Sequence, residues 1–305
     1  MIQKNSIAWV LLALCFMLIA LGNIFIHEGI QSSLPPPPDF KIVSLSPALT
    51  EIAFLLGQGD KLAGVTRFCK YPAEAQSLPH VGGFYDVNLE MIAHINPQYV
   101  LITTSHHAHI PKLKELNIPY VQLDIDSPEN IMNSILTLGS LFGVPEKAEE
   151  QVRLLREETE RYTVPVTGLA APKVLIIIGN DDKAGDYNKW YVVGGDSFYT
   201  PLLNRAGGIN VVADSRAAYP ILSPENIITL NPDIIIELIP GTRTAFNSLD
   251  TIVGRFPSFS MVAAVKNKRL YTLESDFLLI PGPRFNKILA TFHDILHDAN
   301  TGNTL

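Results

Sequence analysis

The sequence predicts an α/β protein of two pseudo-symmetric lobes with mainly parallel central sheets, joined by a long, rigid helical connector. Three observations predict it. From Lys41 onward, short β-branched runs alternate with helical segments, the pattern of parallel α/β sheets. Mid-chain, two long helical segments follow one another with no strand between them. Finally, the segment 88–101, Asn-Leu-Glu-Met-Ile-Ala-His-Ile-Asn-Pro-Gln-Tyr-Val-Leu, returns without a gap at 223–236 as Ser-Pro-Glu-Asn-Ile-Ile-Thr-Leu-Asn-Pro-Asp-Ile-Ile-Ile.

The strand candidates in order are Lys41–Ser46, Leu62–Thr66, Tyr99–Thr103, Tyr120–Asp124, Lys173–Ile178, Asn210–Val212, Asp233–Leu238 and Arg269–Leu273. Ser46-Pro47 predicts a helix N-cap followed by proline at the first helical position, opening a helix over Ala48–Leu56 that Gly57 stops. Ile131, Ile135, Leu138 and Leu141 keep helical spacing, and after Gly143-Val144-Pro145 a charged helix runs from about Glu146 to Tyr162. Each copy of the repeat reads as a short helix, an Asn-Pro turn and a buried strand. The proline is expected to push its asparagine toward extended geometry and so end the helix. The expected organisation is an N-terminal lobe over 41–142, a connecting backbone helix over 143–168 and a C-terminal lobe over 169–305.

Residues Ile7–Ile26 are apolar apart from Gly22 and Asn23, and Lys4 precedes them, as in an export signal or membrane anchor. Cleavage after a small-x-small site at Ala20-Leu21-Gly22 and retention as an anchor both remain open, so residues 1–30 are a signal peptide or an anchor. Residues 31–40, with Pro35-Pro36-Pro37-Pro38, read as an extended tether. Both readings place the folded part outside the cytoplasm. The 305 residues, 47% hydrophobic, suffice for a large core. An excess of 30 acidic over 23 basic residues argues against nucleic acid as a partner. Two cysteines, Cys15 and Cys69, give no disulfide framework and no thiolate cluster, so any metal or organic cofactor is expected as cargo, not as a resident group.

Three N-terminal segments, Lys41–Glu51, Gly64–Pro72 and Val81–Phe84 leading to Asn88-Leu89-Glu90, resemble the cobalamin and iron-chelate group of substrate-binding proteins. The resemblance resumes at Gly194–Ser197, Ala206–Val211, Ser223-Pro224-Glu225 and Pro281-Gly282-Pro283-Arg284. It implies two α/β lobes joined by one long helix, a ligand cleft between them, and delivery of the bound molecule to the permease dimer of an ABC importer. Cobalamin or a related corrinoid is the cargo it implies first; haem, a ferric siderophore or a metal ion are the alternatives, as is a membrane-tethered sensor without a transporter. No Gly-x-Ser-x-Gly elbow, His-Glu-x-x-His helix or Gly-x-Gly-x-x-Gly loop is present, and an enzyme is not expected.

By motif position, the resemblance assigns Glu90 and Glu225 to permease docking, one carboxylate per lobe for arginines of a two-fold partner. The alternative for each is to complement its own helix N-terminus. Phe68, Phe84, Tyr191 and Tyr219 match positions where relatives set aromatic rings against the ligand, and Asp276 matches a polar contact. Packing in the core is the alternative for each ring. Arg284 is suited to a ligand carboxylate or phosphate, or to a structural ion pair. Thr103 is also a ligand-binding candidate, although it departs from the cobalamin pattern, which has a bulky aromatic there. His106, His107 and His109 are candidate ligands for a metal or a metallocofactor, with an exposed histidine loop as the alternative.

Overall fold

The computed structural model describes residues 39–164, 171–180, 189–239 and 256–297. The apolar N-terminal run and nearly all of the proline tether lie outside the described residues. Among those described, no helix is long and apolar enough to cross a membrane.

The first sheet comprises β1 (Ile42–Ser44), β2 (Leu62–Val65), β3 (Tyr99–Thr103) and β4 (Tyr120–Leu123), in the order β2-β1-β3-β4 and parallel throughout. Its helices are α1 (Pro47–Leu55), α2 (Leu89–Ile95) and α3 (Ile110–Glu115). Two longer helices follow, α4 (Pro128–Leu141) and α5 (Pro145–Arg161), with no strand between them. The second sheet is mixed. Strands β5 (Lys173–Asn180), β6 (Trp190–Val192), β7 (Ile209–Asn210), β8 (Ile221–Leu222), β9 (Ile234–Ile239) and β10 (Leu270–Glu274) run in the order β10-β9-β5-β6-β8, with β7 on β5. Strands β5, β7, β9 and β10 are parallel, whereas β6 and β8 add an antiparallel edge that the sequence reading does not contain. Helices α6 (Tyr199–Arg205), α7 (Pro224–Leu230), α8 (Ala263–Lys266) and α9 (Phe285–His297) complete this half.

The two-residue period of the strands divides the core. Val174, Ile176, Ile234, Ile236 and Leu238 face one buried cluster, while Leu175, Ile177 and Ile235 face another. In the first sheet, Ile42 and Leu101 join the former cluster, and Val43, Val100 and Ile102 form a third. The shared cluster therefore runs through both halves, from Ile42 and Leu49 by way of Leu138 and Val152 to Leu202, Phe285 and Phe292. Glycine at position 139 lets the connector helices cross closely, because a Cβ there would collide with that of Ala148. At its far end α5 is tied to α9. Thr159 Oγ1 donates to Asn286 Oδ1 at 2.8 Å, and Asn286 Nδ2 donates to the Leu155 carbonyl at 2.9 Å. A continuous core resists the wide hinge opening that a few flexible strands would permit.

The repeat folds alike in both copies, with one correction. Asn88 caps α2 by accepting from the Met91 N–H, and Ser223 caps α7 by accepting from the Asn226 N–H. Asn96 and Asn231 end these helices in the left-handed region, at φ 51° and φ 44°, instead of the extended geometry expected before proline. Asparagine tolerates that region, and each chain reverses there into β3 or β9.

Candidate functional site

Ligand clefts in parallel α/β sheets form at the carboxyl ends of the strands. Here the loops after β2, β3, β4 and β10, together with the β6–β8 edge beside the end of β5, carry most of the residues read from sequence.

In the first half, Phe68 stands 48% exposed on the loop after β2. Beside it Arg67 places its guanidinium carbon 5.0 Å from the Phe68 ring centroid and binds Asp86 through both terminal nitrogens at 2.7 and 2.9 Å. That contact holds the Asp86 carboxyl below the usual carboxylate range. Phe84 is half-buried, with the Tyr85 ring at 4.8 Å and the His106 ring at 4.6 Å. In the second half, Tyr191 and Tyr219 are exposed. Tyr191 pairs with Gly179 near the end of β5 and with Ile221 on β8. Partial burial, and then the Asp126 carboxylate of the first half, push the Tyr219 phenol up. Asp126, on the loop after β4, is itself raised by burial and by Asp124, and accepts from Thr104 Oγ1 at 3.4 Å. Aromatic faces from both halves thus accompany a short polar set, as a large, mostly apolar ligand requires.

Thr103 and the histidines are placed differently from a ligand-contacting set. Thr103 is buried and caps the 3-10 turn Thr104–His109, with its backbone N–H donating to His106 Nδ1 at 3.2 Å. His106 is buried and its pKa is pushed down to about 4, chiefly by that burial and then by His109. His109 Nε2 lies 3.1 Å from the Phe84 carbonyl, and His107 is exposed. With about three residues per 3-10 turn, positions 106 and 109 share a side and 107 does not. The three imidazoles do not converge. Among the described residues, no three His, Cys, Asp or Glu side chains are grouped to hold a metal ion.

Arg284 bridges the two halves. Its Nη2 and Nε donate to Glu51 on α1 at 2.6 and 2.9 Å, and its Nη1 donates to Asp276 at 2.8 Å. The guanidinium carbon lies 4.0 Å from the Tyr71 ring centroid. Of the two roles open to Arg284, the geometry realises the ion pair, and Asp276 is engaged by the same cation. Neither Glu51 nor Asp126 stands out in the sequence, since each gains its meaning from a partner far along the chain.

Glu90 and Glu225 are the second residues of α2 and α7, equivalent points of the repeat, and both are exposed. Hydrogen bonding from Ser223 holds the Glu225 carboxyl below its ordinary range.

A family model described as periplasmic binding protein matches residues 42–277. The chain is 28% identical over 249 residues to a vitamin B12-binding protein of Vibrio parahaemolyticus, covering 81% of this chain and 86% of that one. It is 29% identical over 252 residues to the uncharacterised ABC transporter substrate-binding lipoprotein YvrC of Bacillus subtilis, covering 80% of this chain and 76% of that one. Among solved structures, the periplasmic heme binding protein HutB of Vibrio cholerae superposes with a TM-score of 0.72 at 18% identity, covering 85% and 99% of the two chains.

Proposed function

The chain belongs to the periplasmic binding protein family, and from that premise we propose that it is the extracytoplasmic substrate-binding protein of an ABC importer, capturing cobalamin or a related corrinoid for a permease dimer. The observation that carries this reading is the set of exposed rings at the cleft-forming ends of both sheets, Phe68 from the first half and Tyr191 and Tyr219 from the second. A corrin is broad and its faces are apolar, so it matches rings that lose little conformational freedom on contact. The likeness to a protein named for vitamin B12 supports the same cargo. The apolar run Ile7–Ile26 after Lys4 and the relative named a lipoprotein support a position outside the cytoplasmic membrane.

Glu90 and Glu225 are the docking residues of this reading. Two exposed carboxylates at equivalent places of a pseudo-symmetric molecule suit paired cations on a two-fold permease. The role is binding and release, with no turnover of the cargo.

The test is a visible-absorbance titration of the purified protein with cyanocobalamin, haemin and a ferric siderophore. One-to-one binding of cyanocobalamin in preference to the other two is the expected result. Preference for haemin or the siderophore would reassign the cargo, and binding of none would remove the reading.

A further inference from the structure

Arg284, the cation that the sequence suggests for a ligand anion, is occupied by two carboxylates of the protein. Arg67 has the opposite geometry. Its Nη1 and Nη2 are held end-on by Asp86 at 2.7 and 2.9 Å, and its side chain makes no other hydrogen bond among the described residues, the backbone N–H alone donating to the Gly82 carbonyl at 3.0 Å. A guanidinium has five N–H donors in two forks, so this arrangement leaves the fork formed by Nε and one terminal nitrogen open.

Three further features hold that fork in place. The Phe68 ring lies alongside the cation, with 5.0 Å from the guanidinium carbon to its centroid. Gly83 makes the room, because a Cβ there would stand 2.5 Å from Arg67 Nη2 and 2.6 Å from Asp86 Oδ1. The loop that carries Arg67 also borders the other half, since Tyr71 on it stacks against Arg284. An arginine with 47% of its side chain exposed, fixed by an acid, a ring and a glycine, is preorganised for a bidentate acceptor.

We propose that the open fork of Arg67 receives an oxyanion on the rim of the cargo, a phosphodiester or a carboxylate, while Phe68 meets the face of the chelate beside it. This assignment rests on the cleft reading above and adds to it the chemistry by which the cargo is oriented. Because Asp86 balances the charge of Arg67, recognition comes from two directed hydrogen bonds more than from a long-range field.

The test compares Arg67→Gln with the unaltered protein, using cyanocobalamin, which has a phosphodiester, and dicyanocobinamide, which lacks it. Haemin and its dimethyl ester provide the same contrast for carboxylates. The variant is expected to lose about ten- to a hundredfold in affinity for the oxyanion-bearing member of whichever pair binds, and to leave the other member unchanged. The unchanged member also serves as the folding control. Gly83→Val, which crowds the fork without removing the charge, is expected to show the same selective loss. Equal loss for both members, or loss for neither, overturns the Arg67 assignment and leaves the cleft reading standing. If the unaltered protein binds none of the four, the cleft reading falls and the Arg67 assignment falls with it.

Discussion

Glu51 and Arg284, separated by 233 positions in the chain, meet in a two-pronged ion pair at 2.6 and 2.9 Å, with side chains 2% and 10% exposed. One lies on the first helix of the first half and the other on the turn before the last helix of the second. The contact therefore ties the first half to the second through a mostly buried ion pair.

Breaking that pair on one side leaves a buried charge poorly matched. Glu51→Leu is expected to destabilise the protein by roughly 3–5 kcal/mol, softened where Asp276 retains the cation. A Glu51→Leu, Arg284→Met double variant is expected to recover much of the loss, because no charge is then stranded. Urea unfolding of the two singles and the double measures the coupling, and additive losses would deny it.

The exposed rings predict a separation of binding from stability. Tyr219 is 43% exposed and Phe68 48%, so Tyr219→Ala and Phe68→Ala are expected to shift the unfolding free energy by about 1 kcal/mol or less. Each is expected to weaken cargo binding by about tenfold or more, since a ring against a flat ligand is a typical hot spot. Titration and thermal melts of the same preparations check both halves of the expectation.

His106 predicts a pH dependence. Its pKa is about 4 in the folded protein, against 6.5 for an unperturbed imidazole, so the unfolded chain binds the extra proton between those values. Stability from this residue is complete above pH 6.5 or so and is lost as pH falls toward about 4, by roughly 3 kcal/mol at most. Urea midpoints across this range should fall more steeply for the unaltered protein than for His106→Gln, and parallel curves would contradict the assignment.

The left-handed asparagines predict a contrast between two equivalent sites. Asn96→Gly is expected to be neutral within about 0.5 kcal/mol, because glycine adopts that geometry without strain. Asn231→Gly is expected to cost about 1 kcal/mol more, since Asn231 Oδ1 also accepts from the Ala263 N–H at 2.9 Å. Equal melting temperatures for the two variants would count against this account.

Much of the architecture is legible in local pattern. Runs such as Lys173–Ile178 and Asp233–Leu238 are long and β-branched, and they lie within a residue or two of the observed strands. Strands β6 and β8, at three and two residues, are too short for a periodic signal and exist through pairing along the edge of β5. The site divides in the same way. Phe68, Tyr191 and Tyr219 follow from motif positions, whereas Glu51, Asp126 and the Arg67–Asp86 pair depend on loops brought together from separate strands. The Asn-Pro turns show how a correct boundary can have a different cause, with the left-handed tolerance of asparagine ending the helix.

The docking role proposed for Glu90 and Glu225 gives each half of the repeat one exposed carboxylate for the permease. Its most direct measurement is uptake of labelled cobalamin by cells of the native source carrying Glu90→Arg and Glu225→Arg together, beside cargo binding by the purified double variant. Uptake is expected to fall at least about tenfold with binding affinity unchanged, because like charges then meet at the docking surface. Normal uptake by the double variant would contradict it.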